Sequence, residues 1–395
     1  MSKIIDSSEV MTSRRYVHLP TEVLIQIARF ISADWRNPNG PFFQVTLQRF
    51  CAVSRQWYSA GIEFLYYRPQ LDRGNSFSLF TNTVCPSIRS RERKADLGSF
   101  VHILNLGRLV HHSSNSLTAR LLGRVKKNLK TFVAPRVSFA INSLAPLAKC
   151  KNLSYLCLDF VAEPIPLSAL KKAISGLDRL ITIKLSSSMF ITDDGSPEDW
   201  PPNLSFLQVA GRFDIETMSY FRWPSKLVGL TFCGCENLDT SALEEILINE
   251  QLCTTLQRLT IHRSNREMFE EGPSEILSTL IALKSLRIPV DLLYDLLILP
   301  MFDSPISIRE LELTEPYDEQ FPAEFDAKEF CEALNTHLSR VCYIGLSPGC
   351  LRIIPEALHA KIDKRVWKNI DKCSEEELDS LLDMGVVVMD REPVC

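Results

Sequence analysis

One pattern constrains this chain more than any other: an apolar-x-x-apolar-x-apolar triplet that returns along most of its 395 residues. It reads Val101-Leu104-Leu106, Leu129-Phe132-Ala134, Leu153-Leu156-Leu158, Leu180-Ile183-Leu185 and Leu204-Leu207-Val209. It continues as Leu227-Leu230-Phe232, Leu256-Leu259-Ile261, Leu283-Leu286-Ile288, Ile308-Leu311-Leu313 and Val341-Ile344-Leu346, with Met384-Val387-Met389 a weaker eleventh match. From Leu104 to Leu311 successive middle residues lie 28, 24, 27, 24, 23, 29, 27 and 25 positions apart, and the later steps of 33 and 43 are looser. One triplet means nothing in a chain that is 45% hydrophobic; a run at this spacing is hard to obtain by chance. Alternation within apolar-x-apolar sets two side chains on one face of a short strand. Between the triplets, segments such as Pro166-Leu170-Ala173-Ile174 and Ser241-Leu243-Ile246-Leu247 space their apolar residues at helical intervals. A single strand-plus-helix unit cannot cover its own apolar side, so the pattern predicts stacked units that cover one another.

The spacing matches the leucine-rich repeat, whose period is roughly 20 to 29 residues. The segment from Leu227 to Leu243 resembles the cysteine-containing subtype, with Cys235, Leu238, Asp239 and Leu243 on the matching positions. Other units lack that cysteine, so the array is irregular. The resemblance implies an α/β fold: a curved solenoid over residues 100–365 with a parallel strand ladder and outer helices, closed by a C-terminal cap at 366–395. A generic α/β domain with leucine-rich strands is the alternative reading of the same triplets.

The N-terminal stretch has a different rhythm. Leu19-Pro20-Thr21-Glu22-Val23-Leu24 opens a helix that runs to Ile31, with Pro20 in the first turn, where a missing N–H costs nothing. Val23, Leu24, Ile27 and Ile31 form one apolar stripe. Residues from Ser32 to Thr46 contain Pro38, Gly40 and Pro41, which predicts a loop. A second helix then carries Leu47, Phe50, Cys51, Ser54 and Trp57 on one side, and the segment from Glu63 to Pro69 closes the module. Residues 1–15 read as a disordered tail, 16–70 as a small all-α module and 71–99 as a connector of lower order. The connector's basic cluster, Arg89, Arg91, Arg93 and Lys94, reads as a solvated loop.

Leu19-Pro20-x-Glu22-Val23-Leu24, then Leu47, then Val53-Ser54-Arg55-x-Trp57 resembles the F-box, and Phe64-Leu65-Tyr66-Tyr67 is similar to the end of many fungal F-boxes. The loop from Ser32 to Thr46 is longer than the usual link. The resemblance implies docking on a Skp-family adaptor and, through it, on cullin and RING subunits. It implies that Leu19, Pro20, Val23, Leu24, Ile27, Leu47, Val53 and Trp57 form or support the adaptor-binding surface. The expected function is that of a substrate-recognition subunit of an SCF-type ubiquitin ligase, holding a protein substrate on the repeats for ubiquitination and proteasomal degradation. The alternative is a non-catalytic leucine-rich-repeat scaffold, or an adaptor-bound F-box protein acting outside a ligase.

Other classes find little support. A net charge of −4 lacks the basic excess of a nucleic-acid binder. No apolar run is long enough to span a bilayer and residues 1–20 have no apolar signal core, so no membrane contact and a cytoplasmic or nuclear location are expected, with the 12 cysteines reduced. No phosphate-binding glycine loop, nucleophile elbow or zinc-protease motif is present; His111-His112 has no cysteine partner at metal spacing, Cys233-x-Cys235 reads as packing and Asp193-Asp194 as a turn. The expectation is therefore a non-enzyme with no catalytic residue, cofactor or metal; an enzyme on an unusual α/β fold would need a deep polar pocket instead. Arg258, His262, Arg263, Lys284, Arg287 and Arg309 fall on consecutive repeats and form a candidate substrate-binding patch for an acidic or phosphorylated segment, because arginine pairs bidentately with carboxylate and phosphate. A solvated face partly neutralised by Glu310 and Glu312 is the alternative.

Overall fold

The computed structural model describes residues 19–33, 42–71, 75–86, 96–109, 115–191, 199–213, 221–265, 274–317 and 327–347. The chain divides into two compact units, Met1–Gln70 and Leu71–Cys395. The tail at 1–15, the basic cluster at Arg89 to Lys94, His111-His112, Asp193-Asp194, the eleventh triplet and the cap at 366–395 lie outside the described residues.

The first unit holds three helices, α1 (Thr21–Ala33), α2 (Phe42–Cys51) and α3 (Arg55–Tyr67). Pro20 is not inside α1 but just before it, and its carbonyl accepts the first helical bond from Leu24 N at 3.2 Å. Two expectations are corrected. Residues 42–46 are already helical, so the loop is shorter than the sequence reading had it. The helix expected to carry both Leu47 and Trp57 is two helices, broken at Ala52–Ser54. Ser54 is extended, with φ −162° and ψ 172°, and its hydroxyl accepts from Trp57 N at 3.3 Å. That cap satisfies an N–H that a new helix leaves orphaned, which favours a fresh start there. The core is small: Leu24, Ala28, Leu47, Phe50, Cys51 and Ala60, with the Phe50 and Trp57 rings 4.7 Å apart. Gly61 lets α3 close on α2, since a Cβ there would lie 2.7 Å from the Phe50 ring.

The second unit is a parallel ladder. Its rungs are β1 (Ile103–Asn105), β2 (Thr131–Val133), β3 (Tyr155–Cys157), β4 (Thr182–Lys184), β6 (Phe206–Phe213), β7 (Gly229–Glu236), β8 (Arg258–Ile261), β9 (Ser285–Pro289), β10 (Glu310–Thr314) and β11 (Tyr343–Leu346), in that spatial order. A short β5 (Phe190–Ile191) pairs with the far end of β6. The register aligns every middle residue of the triplets, from Leu104 beside Phe132 through to Leu311 beside Ile344. All three members of each triplet from Val101 to Leu313 are at most 1% exposed. The predicted α/β ladder is thus present, and the apolar triplets are its core. Helices α5 (Asn115–Val125), α6 (Leu144–Leu147), α7 (Leu167–Ile174) and α8 (Thr240–Leu247) return the chain between rungs. In α8 the Asp239 carboxylate caps Ala242 N at 2.7 Å.

The described parts of the connector, 75–86 and 96–99, hold more regular structure than expected. Helix α4 (Ser76–Val84) buries Phe80 and Val84, and Cys85 O just after it accepts from Arg120 Nη2 at 3.3 Å. A turn at Leu97–Phe100 follows, and a Cβ on Gly98 would lie 2.6 Å from Arg124 O.

Polar bonds tie rung to rung. Asn128, Asn152 and Asn203, each just before the first leucine of its triplet, donate to the carbonyls of Ser99, Lys127 and Asp178 at 2.7, 2.8 and 2.7 Å. The next repeat then fills the amide's acceptor: Arg179 Nη1 reaches Asn152 Oδ1 at 2.8 Å and Lys226 Nζ reaches Asn203 Oδ1 at 2.7 Å. Fully buried Asn265 accepts from Cys235 N at 2.8 Å and donates to Phe232 O at 2.8 Å. Cys235 itself is buried, with Sγ 3.5 Å from Val209 O.

Burial raises the thiol pKa of Cys150 to about 12, and those of Cys51, Cys85 and Cys235 also rise. Above about pH 9 the unfolded thiols lose protons that the folded ones keep, so the folded state is penalised as pH climbs. Stability is therefore expected to be flat below pH 9 with respect to these groups. It then falls by about 1.4 kcal/mol per pH unit per such thiol towards the folded pKa. Urea melts at pH 8 and pH 10, repeated on Cys150→Ala, check this: the variant loses less between the two pH values.

Candidate partner-binding surfaces

The two halves of the N-terminal motif, more than thirty residues apart in sequence, meet in space. Gln56 Nε2, at the start of α3, donates to Leu19 O at 3.0 Å and to Thr21 Oγ1 at 3.2 Å, which clamps the entry of α1 to the entry of α3. Gln56 was not among the residues singled out, because it occupies the x of Val-Ser-Arg-x-Trp. The eight expected surface residues then separate by exposure. Val23 and Val53 are 42% and 60% exposed, and Pro20 is exposed beside them in sequence. Leu19, Ile27 and Trp57 are half-buried against the core. Leu24 and Leu47 are fully buried and hold the helices together, so of the two expected roles, forming or supporting the surface, theirs is to support it. Phe30, Val45 and Tyr58 are exposed apolar side chains that the sequence reading did not single out.

The cations expected to make one patch on the repeats fall into separate places. Arg287, on the row of β9 beside Glu312 of β10, forms an ion pair with it at 3.4 Å. Arg258 of β8 lies 6.0 Å from the ring of Phe206 on β6, reaching across Gly229, where any Cβ would come within 2.5 Å of that ring. His262 and Arg263 follow β8, and His262 Nδ1 pairs with Ser264 Oγ at 2.9 Å. Lys284 and Arg309 sit instead at the entry of β9 and β10, where they share a cleft of about 190 Å³ with Arg340, a residue the sequence reading passed over. Glu310 and Glu312, the expected neutralising pair, are on β10 and do not line this cleft. Among the described residues no group of three His, Cys, Asp or Glu side chains is arranged to hold a metal ion, and no helix is long and apolar enough to cross a membrane.

No family model matches the chain. F-box protein YDR306C of Saccharomyces cerevisiae is 28% identical over 242 residues, which is 61% of this chain and 49% of that protein; the chain thus spans about half of that relative's length. Protein pof5 of Schizosaccharomyces pombe is 25% identical over 262 residues, 66% of this chain and 72% of that protein. Two internalin crystal structures from Listeria monocytogenes, inlF and inlC2, are 12% and 15% identical and each covers 72% of this chain, with 92% and 96% of their own lengths matched. Their TM-scores are 0.34 and 0.32, a likeness that adds nothing to the register described above. In sequence the chain is similar to a yeast F-box protein and to pof5, and its second unit has the one-strand-per-repeat parallel ladder of a leucine-rich-repeat solenoid.

Proposed function

We propose that this chain is the substrate-recognition subunit of an SCF-type ubiquitin ligase. The first unit docks on a Skp-family adaptor, which brings cullin and RING subunits, and the ladder holds a protein substrate in the cytosol or nucleus. The observation that carries the reading is the Gln56 clamp: it sets the entries of α1 and α3 together while Val23 and Val53 stay exposed on a bundle in which, among the described residues, seven apolar side chains are buried. So little core leaves such a unit dependent on a partner for further burial. The chain supplies no nucleophile. Its contribution to rate is tethering, which raises the effective concentration of substrate lysines near the charged ubiquitin carrier.

The test is capture of a Skp-family adaptor and cullin by the full chain and by a Val23→Asp, Val53→Asp double variant. Both side chains are exposed in the chain itself, so its unfolding midpoint should not move. Adaptor affinity should fall at least about 100-fold, since each valine is a small apolar anchor replaced by a charge in a dry interface. Adaptor capture that survives in the variant, or that fails in the unaltered chain, overturns the reading. Adaptor captured without cullin favours a scaffold working outside a ligase.

A further inference from the structure

We propose that the border of the ladder at which its first strands begin is a docking surface for an anionic phospholipid membrane. The inference goes beyond the receptor reading and does not depend on it: it concerns where the ladder rests, not what it holds.

The sequence is unevenly charged. Residues 97–158 contain no Asp or Glu, although 48 in 395 residues would put seven or eight in a stretch of that length. The same stretch has nine Lys and Arg. Outside it 35 Lys and Arg stand against 48 carboxylates, so a chain of net charge −4 divides into a part at +9 and a part at −13.

The fold sorts these cations by their place in the repeat. Pairing is in step at the strand entries, with Ile103, Thr131, Tyr155, Thr182, Phe206 and Gly229 in one row. Entries that start level make one flat border, advancing about 4.8 Å per rung. Lys126, Lys127 and Lys130 come just before β2, Lys149 and Lys151 just before β3, and all five are exposed. Asn152 Nδ2 donates to Lys127 O at 2.8 Å and Ser154 N to Lys130 O at 2.8 Å, which sets the two groups side by side. Further along the border, exposed Arg179 precedes β4 and exposed Lys226 precedes β7. Three of the long side chains end on neutral oxygens: Lys151 on Gly176 O, Arg179 on Asn152 Oδ1 and Lys226 on Asn203 Oδ1, at 2.8, 2.8 and 2.7 Å. Such bonds hold the heads at the border without compensating their charge. Among the described residues none of these seven cations is in an ion pair, and Asp178, next to Arg179, is the carboxylate that offsets one of them. Other carboxylates collect at or beyond the strand exits: Asp159 and Glu163 after β3, Glu236 and Asp239 at β7, Glu315 after β10.

A flat border suits a flat partner, and each Lys or Arg held near an anionic leaflet adds to the attraction. Lysine dominates, a hydrated point charge suited to a diffuse field of headgroups rather than to forked recognition of one group. Apolar side chains stand among the cations. Ile181, 45% exposed, lies two rungs from Lys130 in the same row, its N–H donating to Ser154 O at 2.9 Å. Ile281, 69% exposed, precedes β9. Aliphatic groups beside lysines gain from the boundary between headgroups and acyl chains. They gain nothing from a sugar–phosphate backbone, and among the described residues no exposed aromatic side chain precedes β2, β3 or β4 to stack on a base. The absence of a spanning helix among the described residues does not bear on a peripheral surface, which needs none.

The experiment pellets the full chain with vesicles of phosphatidylcholine alone, or of phosphatidylcholine with about 30% phosphatidylserine. The chain should pellet with the second and not the first, and less as salt rises. A Lys127→Glu, Lys151→Glu double variant should bind at least about tenfold more weakly. Arg136→Glu reverses one of the same nine cations, but at the exit of β2, and should stay within about twofold. Ile181→Ser should weaken vesicle binding about threefold. Unfolding midpoints are read alongside. Lys127 gives the ladder its carbonyl, so Lys127→Glu alone, expected to weaken binding at least about threefold, keeps the test sharp if the double variant melts early. Equal pelleting with both vesicle types, reversals before β2 and β3 that change nothing, or an Arg136→Glu loss as large as theirs overturns the inference. So does a chain that ignores both vesicle types, whether or not duplex DNA or immobilised polyglutamate retains it.

Discussion

Gly211→Ala is expected to lower the unfolding free energy by about 3 kcal/mol or more, while the same exchange at Gly123 raises it by about 0.5 to 1 kcal/mol. Gly211 sits where the β6–β7 register shifts, with φ +102°, and the Met189 carbonyl leans over it to accept Arg212 N at 3.1 Å. A Cβ there would stand 2.1 Å from that carbonyl oxygen. Backbone cannot step aside as a flexible side chain would, so the rung must open or β5 must detach. Gly123 lies within α5 with nothing inside 4 Å of a new Cβ, and alanine there only removes unfolded-state freedom. Urea denaturation of the two variants decides the matter. A Gly211→Ala loss under about 1 kcal/mol would show that the bulge relaxes freely.

Asn265→Ala is expected to cost about 2 kcal/mol, seen as a melting midpoint lower by roughly 4 to 8 °C. Its amide is the sole side chain shown bridging Cys235 N and Phe232 O, and both ends of that bridge are buried. Removal leaves the buried Cys235 N–H without its partner, at about 1 to 3 kcal/mol, while Phe232 O loses one of two donors and keeps His262 N at 2.8 Å. Asn265→Asp keeps an acceptor for Cys235 N but loses the donor for Phe232 O and buries a charge, so it rescues little. Calorimetric scans of both variants test this; a midpoint within 2 °C of the unaltered chain, set against the roughly 2 to 4 °C per kcal/mol of a unit this size, would refute it.

The ladder was legible because burial acts on the triplets directly: Leu156 or Leu286 is apolar in sequence for the same reason that it is covered in space. Polar devices were less so. Asn128, Asn152 and Asn203 mark the same position of their repeats, yet a lone asparagine has meaning only once the strands are placed. Ser54, read with Leu47, Phe50, Cys51 and Trp57 on one side of a single helix, is the cap that splits it. Phe80 and Val84 of α4 were hidden in a stretch whose arginines drew the eye. For the surfaces, sequence named the residue types but not their orientation. It could not tell that Leu24 points in while Val23 points out, or that Arg287 has a carboxylate opposite it and Lys284 faces open space.

The register that aligns Leu104 with Ile344 through eight intermediate rungs also sets how this unit fails. Each turn leans on the turns flanking it, and contacts such as Arg258 to the Phe206 ring or Tyr317 Oη to His262 O reach one rung further, so stability is spread along the unit. Heat or force should unzip it from its ends inward, with amide protons of β4 to β7 exchanging last and those of β11 first. Injury at one step then stays local, and ligand-holding steps far from it keep their shape.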